Sequence, residues 1–153
     1  MISPSFLWWL SCQAYQRKLV FIARLLKTID FLMFHAVLPY QAEIERDVSL
    51  EHYGLGIVMH PNVKLGHQVK IYQHVTLATE TWIGSQHKIF VEDDVLIGAG
   101  AVVIGRGNQS LTIGTGAKIG ANAVVTKDVN PGAPVVGIPA RTLNKSQSNR
   151  QEK

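Results

Sequence analysis

The segment SLEHYGLGIVMHPN, Ser49 to Asn62, holds two histidines, His52 and His60, with Glu51 beside the first and glycines between them. An imidazole, with a pKa near 6.5, takes a proton from an attacking hydroxyl at neutral pH and returns it to a leaving group. Histidines also serve metal sites, which need several ligands converging on one point. The chain has six: His35, His52, His60, His67, His74 and His87. Its one cysteine, Cys12, excludes an internal disulfide and fits a reducing compartment. Cys12 lies outside the repeats described next and is not read as a nucleophile.

What positions these histidines is a six-residue period. Met59, Leu65, Ile71, Leu77 and Ile83 are large aliphatics six apart; Val91, Ile97 and Val103 repeat the spacing, as do Ile113, Ile119 and Val125. Ile44 and Leu50 form an earlier pair. Gly66, Gly84, Gly98, Gly114 and Gly120 each follow an aliphatic, and the fourth residue after an aliphatic is small or β-branched, as at Val69, Val75, Ala117 and Ala123. Such a period fits neither a 3.6-residue helix nor an alternating hairpin. It fits a prism of short strands: the aliphatic points to the axis and the next residue turns a corner, where glycine is least strained. Three units make a coil, and stacked coils pair in parallel.

The breaks in the period are the candidate sites, because insertions in a solenoid become projecting loops. Leu50 to Met59 is three residues too long and contains His52. Ile83 to Val91 is two too long, beside TETWIGSQHK. Val103 to Ile113 is four too long; Arg106 to Ser110 is expected to be a surface bulge without chemistry. His60, His67 and His74, seven apart, each move one position around a six-residue unit, so they point in different directions. No metal is expected. His60 fills a corner slot, His67 and His74 face outward, and His35 sits in the apolar N-terminal part.

Charge is uneven. Arg17, Lys18, Arg24 and Lys27 oppose only Asp30 in residues 1–40, and the tail at 144–153 is polar and basic, while the body carries more acid than base. A basic face on the folded body is expected of a nucleic-acid binder, and none is implied. Residues 1–40 read as a helical segment with an amphipathic helix over Gln13 to Lys27, its polar side formed by Gln13, Arg17, Arg24 and Lys27 and its apolar side by Leu19, Ile22, Leu26 and Ile29. That helix packs on the protein or a sister subunit, or else lies on a membrane surface through residues 1–38 with Trp8 and Trp9 at the interface. The N-terminus lacks a basic flank and cleavage site, so no signal peptide is expected.

Hexapeptides such as IGAGAV and IGANAV resemble those of the hexapeptide-repeat acyltransferases, and VVTKDVNPGAPVVGIPAR resembles that family's last coil and exit. The likeness covers residues 41–143 and implies an all-β solenoid, a left-handed parallel β-helix behind a short α-helical segment. Within the family, LEHYGLGIVMHPNV followed by IYQHVTLA resembles serine O-acetyltransferases and O-acetyltransferases of surface polysaccharide synthesis. The resemblance implies acetyl-CoA as donor, His52 as general base, Glu51 assisting it or the acceptor, and His87 as a second active-site group. It also implies a homotrimer with sites between subunits. Coenzyme A would lie along a groove between coils, at Ala78, Ala99 and Ala121, with Thr126, Lys127 and Arg141 toward its phosphates.

Two departures bear on the acceptor. The serine enzymes orient the base with an aspartate about fifteen residues upstream, where this chain has Val37; an arginine before their second histidine binds the serine carboxylate, where this chain has Gln86. An amide cannot replace the bidentate guanidinium–carboxylate pair. A sugar or polysaccharide-precursor hydroxyl is therefore the expected acceptor, in the cytoplasm or on the inner face of the plasma membrane. The alternatives are a serine O-acetyltransferase, a non-catalytic trimeric scaffold, and a zinc hydratase on the same fold.

Overall fold

The structure, a computed structural model, describes residues 3–143. The basic tail expected at 144–153 lies outside the described residues. Four coils of three short strands stack into a left-handed, three-sided prism. The first coil is β1 (Glu43–Ile44), β2 (Ser49–Leu50) and β3 (Val58–Met59). The second is β4 (Val63–Leu65), β5 (Lys70–Ile71) and β6 (Thr76–Thr79). The third is β7 (Ile89–Val91), β8 (Leu96–Ile97) and β9 (Val102–Gly105). The fourth is β10 (Leu111–Ile113), β11 (Lys118–Ile119) and β12 (Val124–Val125). β13 (Pro134–Val136) then stacks on β11, and β14 (Arg141–Thr142) turns back antiparallel against it.

Each side of the prism is one sheet. Sheet I runs β1-β4-β7-β10, sheet II runs β2-β5-β8-β11-β13-β14, and sheet III runs β3-β6-β9-β12. The register stacks the expected aliphatics: Leu65 on Val91, Ile71 on Ile97, Ile97 on Ile119, Leu77 on Val103. These residues, with Val69, Val75, Ala117 and Ala123, are buried along the axis. Burying a large aliphatic side chain contributes roughly 1.5–3 kcal/mol, and every coil repeats the contribution.

Two expectations need correction. Ile83 is not a rung of the prism: it is 60% exposed, and the chain has already left the stack at Thr79. Of the five glycines that follow an aliphatic, Gly84 takes a positive φ of 87 on the loop, but the other four are not there for backbone freedom. Gly66, Gly98, Gly114 and Gly120 lack the left-handed conformation, which falls two residues later at Gln68, Gly100, Gly116 and Asn122. They are required by close approach. A Cβ on Gly98 would stand 2.7 Å from the Ala121 nitrogen of the next coil.

Two helices precede the prism, α1 (Pro4–Gln16) and α2 (Val20–Phe34). Ser3 caps α1, its Oγ accepting from the Phe6 N–H at 3.2 Å, and Pro4 occupies the first turn where its missing N–H costs nothing. The single amphipathic helix expected over Gln13 to Lys27 does not form. Lys18 adopts φ 64 and breaks it in two. The face of α2 that packs inward is Ala23 and Asp30, while Leu19 and Ile22 are exposed. Trp8, which the membrane-surface alternative places at an interface, is buried and donates its indole N–H to the Pro39 carbonyl at 2.9 Å. Among the described residues no helix is long and apolar enough to cross a membrane. Burial pushes the Cys12 thiol up to about 12, far from a reactive thiolate.

Candidate active site

After β2 the chain leaves sheet II in a tight turn, Glu51–Gly54. His52 (φ 51, ψ 42) and Tyr53 (φ 58) both take the left-handed conformation there, which costs a side-chain-bearing residue roughly 1–2 kcal/mol. The turn puts both side chains in solvent while Gly54 is buried beneath them. Helix α1 supports it from below: Ser5 Oγ accepts from the Leu50 N–H at 3.0 Å. The Tyr72 ring lies 5.9 Å from the His52 ring, and the Phe34 ring stacks on Tyr53 at 6.2 Å. Glu51 is half-buried and its carboxylate accepts from Ser49 Oγ at 2.8 Å. Val37, fifteen residues upstream, extends sheet III by pairing with Val58, and its side chain offers no acceptor to an imidazole.

His87 lies on the second excursion, between Thr79 and Ile89. Ser85 is buried, and its Oγ accepts from the His87 N–H at 3.1 Å. The imidazole is half-buried, Gln86 is exposed, and Trp82 and Ile83 project at 72% and 60% exposure. The excursion re-enters the prism at Lys88, which pairs with Glu43 and whose N–H donates to Ser110 Oγ at 3.2 Å.

One chain does not unite the two histidines. His52 lies at the corner where sheet II passes into sheet III; His87 lies at the corner where sheet III passes into sheet I. Between these corners sheet III turns Met59, Leu77, Val103 and Val125 inward. Its outward positions are Val58, Thr76, Ala78, Val102, Ile104 and Val124, an apolar surface with no charge. Sheet II, by contrast, presents Lys70 and Lys118, and sheet I presents Glu43 and Lys64.

The residues expected at coenzyme A lie along the same face and its two corners, except Arg141, which is on β14 of sheet II. Ala78 is on β6. Ala99 and Ala121 stack at the corner that carries His52, where the Asn122 N–H donates to the Ala99 carbonyl at 2.9 Å. Thr126 and Lys127 are at the other corner and share a cleft of about 370 Å³ with Arg141. The stretch Arg106 to Ser110, expected to be a bulge without chemistry, edges a larger cleft of about 660 Å³ through Arg106, Gly107 and Asn108, together with Glu80 and Thr126.

The remaining histidines divide by environment. His60 Nδ1 accepts from the Asn62 N–H at 3.0 Å, and desolvation holds its pKa below the usual value. His67 is exposed and raised by the hydrogen bond and charge of Asp47, 3.2 Å away. His74 is exposed in a left-handed corner, its ring lying over Gly56. Among the described residues no three His, Cys, Asp or Glu side chains are grouped to hold a metal. Sequence reasoning passed over Tyr72 and Asn62. Both lie inside the segments LEHYGLGIVMHPNV and IYQHVTLA, but the six-residue count does not single them out, because their partners arrive from other coils.

No family model matches the chain. It is 39% identical over 130 residues to a serine acetyltransferase of Bacillus pumilus, covering 84% of this chain and 57% of that one. The chain thus spans little more than half the length of that relative. It is 34% identical over 134 residues to a serine acetyltransferase of Helicobacter pylori, covering 87% of this chain and 75% of that one. The fold superposes on Neisseria gonorrhoeae serine acetyltransferase in complex with serine with a TM-score of 0.79 and 28% identity, covering 90% of this chain and 54% of that one. A serine acetyltransferase complex with CoA gives a TM-score of 0.76 at 28% identity, over 90% of this chain and 54% of that one.

Proposed function

Because the chain belongs to the serine acetyltransferase branch of the hexapeptide-repeat acyltransferases, we propose that it transfers acetyl from acetyl-CoA to the hydroxyl of serine. The reading is carried by the likeness, over 90% of this chain, to an enzyme solved with serine bound. His52 acts as general base. Its imidazole takes the hydroxyl proton as the oxygen attacks the thioester carbonyl carbon, the carbon–sulfur bond breaks, and the proton passes to the coenzyme A sulfur. The products are the acetyl ester and free thiol, with no covalent enzyme intermediate. His87 orients the acceptor or the carbonyl oxygen. Glu51, tied to Ser49, supports the turn or the acceptor rather than transferring protons.

The active unit is a homotrimer in which the outward side of sheet III faces a neighbour. Its apolar residues favour burial, and the placement of His52 and His87 at its two corners lets one protomer supply the base and the next the second histidine. Coenzyme A then runs along the seam past Ala78, Ala99 and Ala121 toward Thr126, Lys127 and Arg141. One observation favours a different acceptor. Gln86 cannot form a bidentate pair with a carboxylate, which suits a sugar hydroxyl of a polysaccharide precursor better than an amino acid. The deciding experiment is thiol release from acetyl-CoA with serine, amino sugars and oligosaccharides. Turnover with serine alone supports the main reading; turnover with a sugar alone replaces it; no turnover with any, and no acetyl-CoA binding, leaves a scaffold.

A further inference from the structure

We propose that Asn62 is a positioning residue, a clasp that fixes the excursion between β6 and β7 and thereby sets His87. The inference rests on the reading of His87 as an active-site group.

No strand pairing holds the excursion. From Glu80 to Lys88 it forms no strand, and its most apolar residues, Trp82 and Ile83, point into solvent instead of packing. Asn62 lies one coil below, on the turn from β3 to β4, and is 4% exposed. Its side-chain amide is used at both ends. Nδ2 donates to the Trp82 carbonyl at 2.7 Å and reaches the His87 carbonyl at 3.5 Å; Oδ1 accepts from the Gly84 N–H at 2.8 Å. These partners span the excursion from its tip to its catalytic end.

The backbone of the same residue completes the hold. The Asn62 carbonyl accepts from the Ile89 N–H at 3.0 Å, where the chain re-enters the prism. The Asn62 N–H donates to His60 Nδ1 at 3.0 Å. That bond leaves the His60 ring hydrogen on Nε2, free to bond the backbone of Thr81. The His60–Pro61–Asn62 turn therefore grips the excursion near Thr81, Trp82, Gly84 and His87. The carboxamide sets an N–H donor and a carbonyl acceptor side by side on separate atoms, which an ionised carboxylate of the same length does not. Removing it strips the Gly84 N–H of its acceptor and leaves the Trp82 carbonyl to the Ser85 N–H, 3.1 Å away, so the excursion shifts.

The test compares wild type with Asn62→Ala, Asn62→Asp and His87→Ala in the full chain. Three quantities are read: kcat for serine per CoA-binding site, CoA affinity, and amide exchange at Gly84. For Asn62→Ala we expect kcat to fall about 10- to 100-fold, CoA affinity to hold, and Gly84 to exchange at least about tenfold faster. Asn62→Asp keeps the acceptor for Gly84 and loses the donor to Trp82, so Gly84 stays protected while kcat falls. The clasp is overturned if Asn62→Ala leaves Gly84 exchange unchanged. Its positioning role is overturned if exchange rises with kcat intact, or if CoA affinity is lost in parallel with kcat, as a merely structural role requires. A silent His87→Ala sinks the reading of His87 instead. If wild type turns over no serine, the acceptor reading fails, and Gly84 exchange alone decides the clasp.

Discussion

His52 and His87 flank one four-stranded sheet from opposite corners: His52 precedes β3 and His87 follows β6. If the proposed site uses both, a second copy of the chain completes it. Co-assembly of His52→Ala with His87→Ala protomers should restore part of the acetyl transfer that each variant lacks alone, because some seams then pair two intact residues. Each homogeneous variant should lose about 100-fold or more in kcat/KM for His52→Ala, and less for His87→Ala. A co-assembled mixture as inactive as its parents would place both residues in one protomer's site.

Gln86 offers a gain-of-function measurement. If serine is the acceptor, Gln86→Arg supplies a charge-assisted bond to its carboxylate, worth about 1.5–3 kcal/mol. Serine KM should fall by roughly tenfold or more, with little change for a neutral hydroxyl acceptor. An unchanged serine KM would remove Gln86 from the acceptor subsite.

His60 and His67 should titrate on opposite sides of 6.5, followed by NMR of the ring protons. His60 is held low by desolvation, so the fold binds its proton less readily than the unfolded chain. Its contribution is present above 6.5 and declines as pH falls through that value toward the lower folded pKa. His67 is held high by Asp47. Its contribution is present below 6.5 and is lost as pH rises through its folded pKa. The clasp at Asn62 should accordingly loosen in mild acid, with Gly84 exchange, corrected for its intrinsic pH dependence, rising as His60 protonates.

Asp30 is 1% exposed, and neither carboxylate oxygen has a partner among the described residues. Burial pushes its pKa up to about 7 from 3.8. The folded protein must keep the group protonated or bury a charge, so stability falls as pH rises from 3.8 toward 7. Asp30→Asn should raise Tm at pH 8, a gain on the order of 2 kcal/mol, and should change it little at pH 4.

Glycine substitutions separate close approach from backbone conformation. Gly98→Ala drives a Cβ to 2.7 Å from the Ala121 nitrogen and should cost about 2–3 kcal/mol by displacing the coil above. Gly116→Ala meets nothing within 4 Å and pays only for φ 68, about 1 kcal/mol. Urea denaturation of the two variants measures the difference.

The prism was legible in the sequence because its period is covalent. Every sixth residue returns to the axis, so Leu65, Ile71, Leu77, Ile97, Val103, Ile113 and Ile119 announce a three-sided stack whatever their partners. The extra residues around His52 were legible for the same reason, as an interruption of a count. Ile83 kept the count by coincidence and belongs to a loop. What the tertiary structure alone decided depends on which coil lies above which. It gave the glycines their reason, a neighbouring backbone at 2.7 Å rather than a strained φ. It broke the N-terminal helix at Lys18, turned Trp8 inward, set His52 and His87 at different corners, and brought Asn62 to Trp82 and Gly84. Contacts between coils join residues twenty or more positions apart through side chains that no period constrains, and only the folded stack brings them within hydrogen-bonding reach.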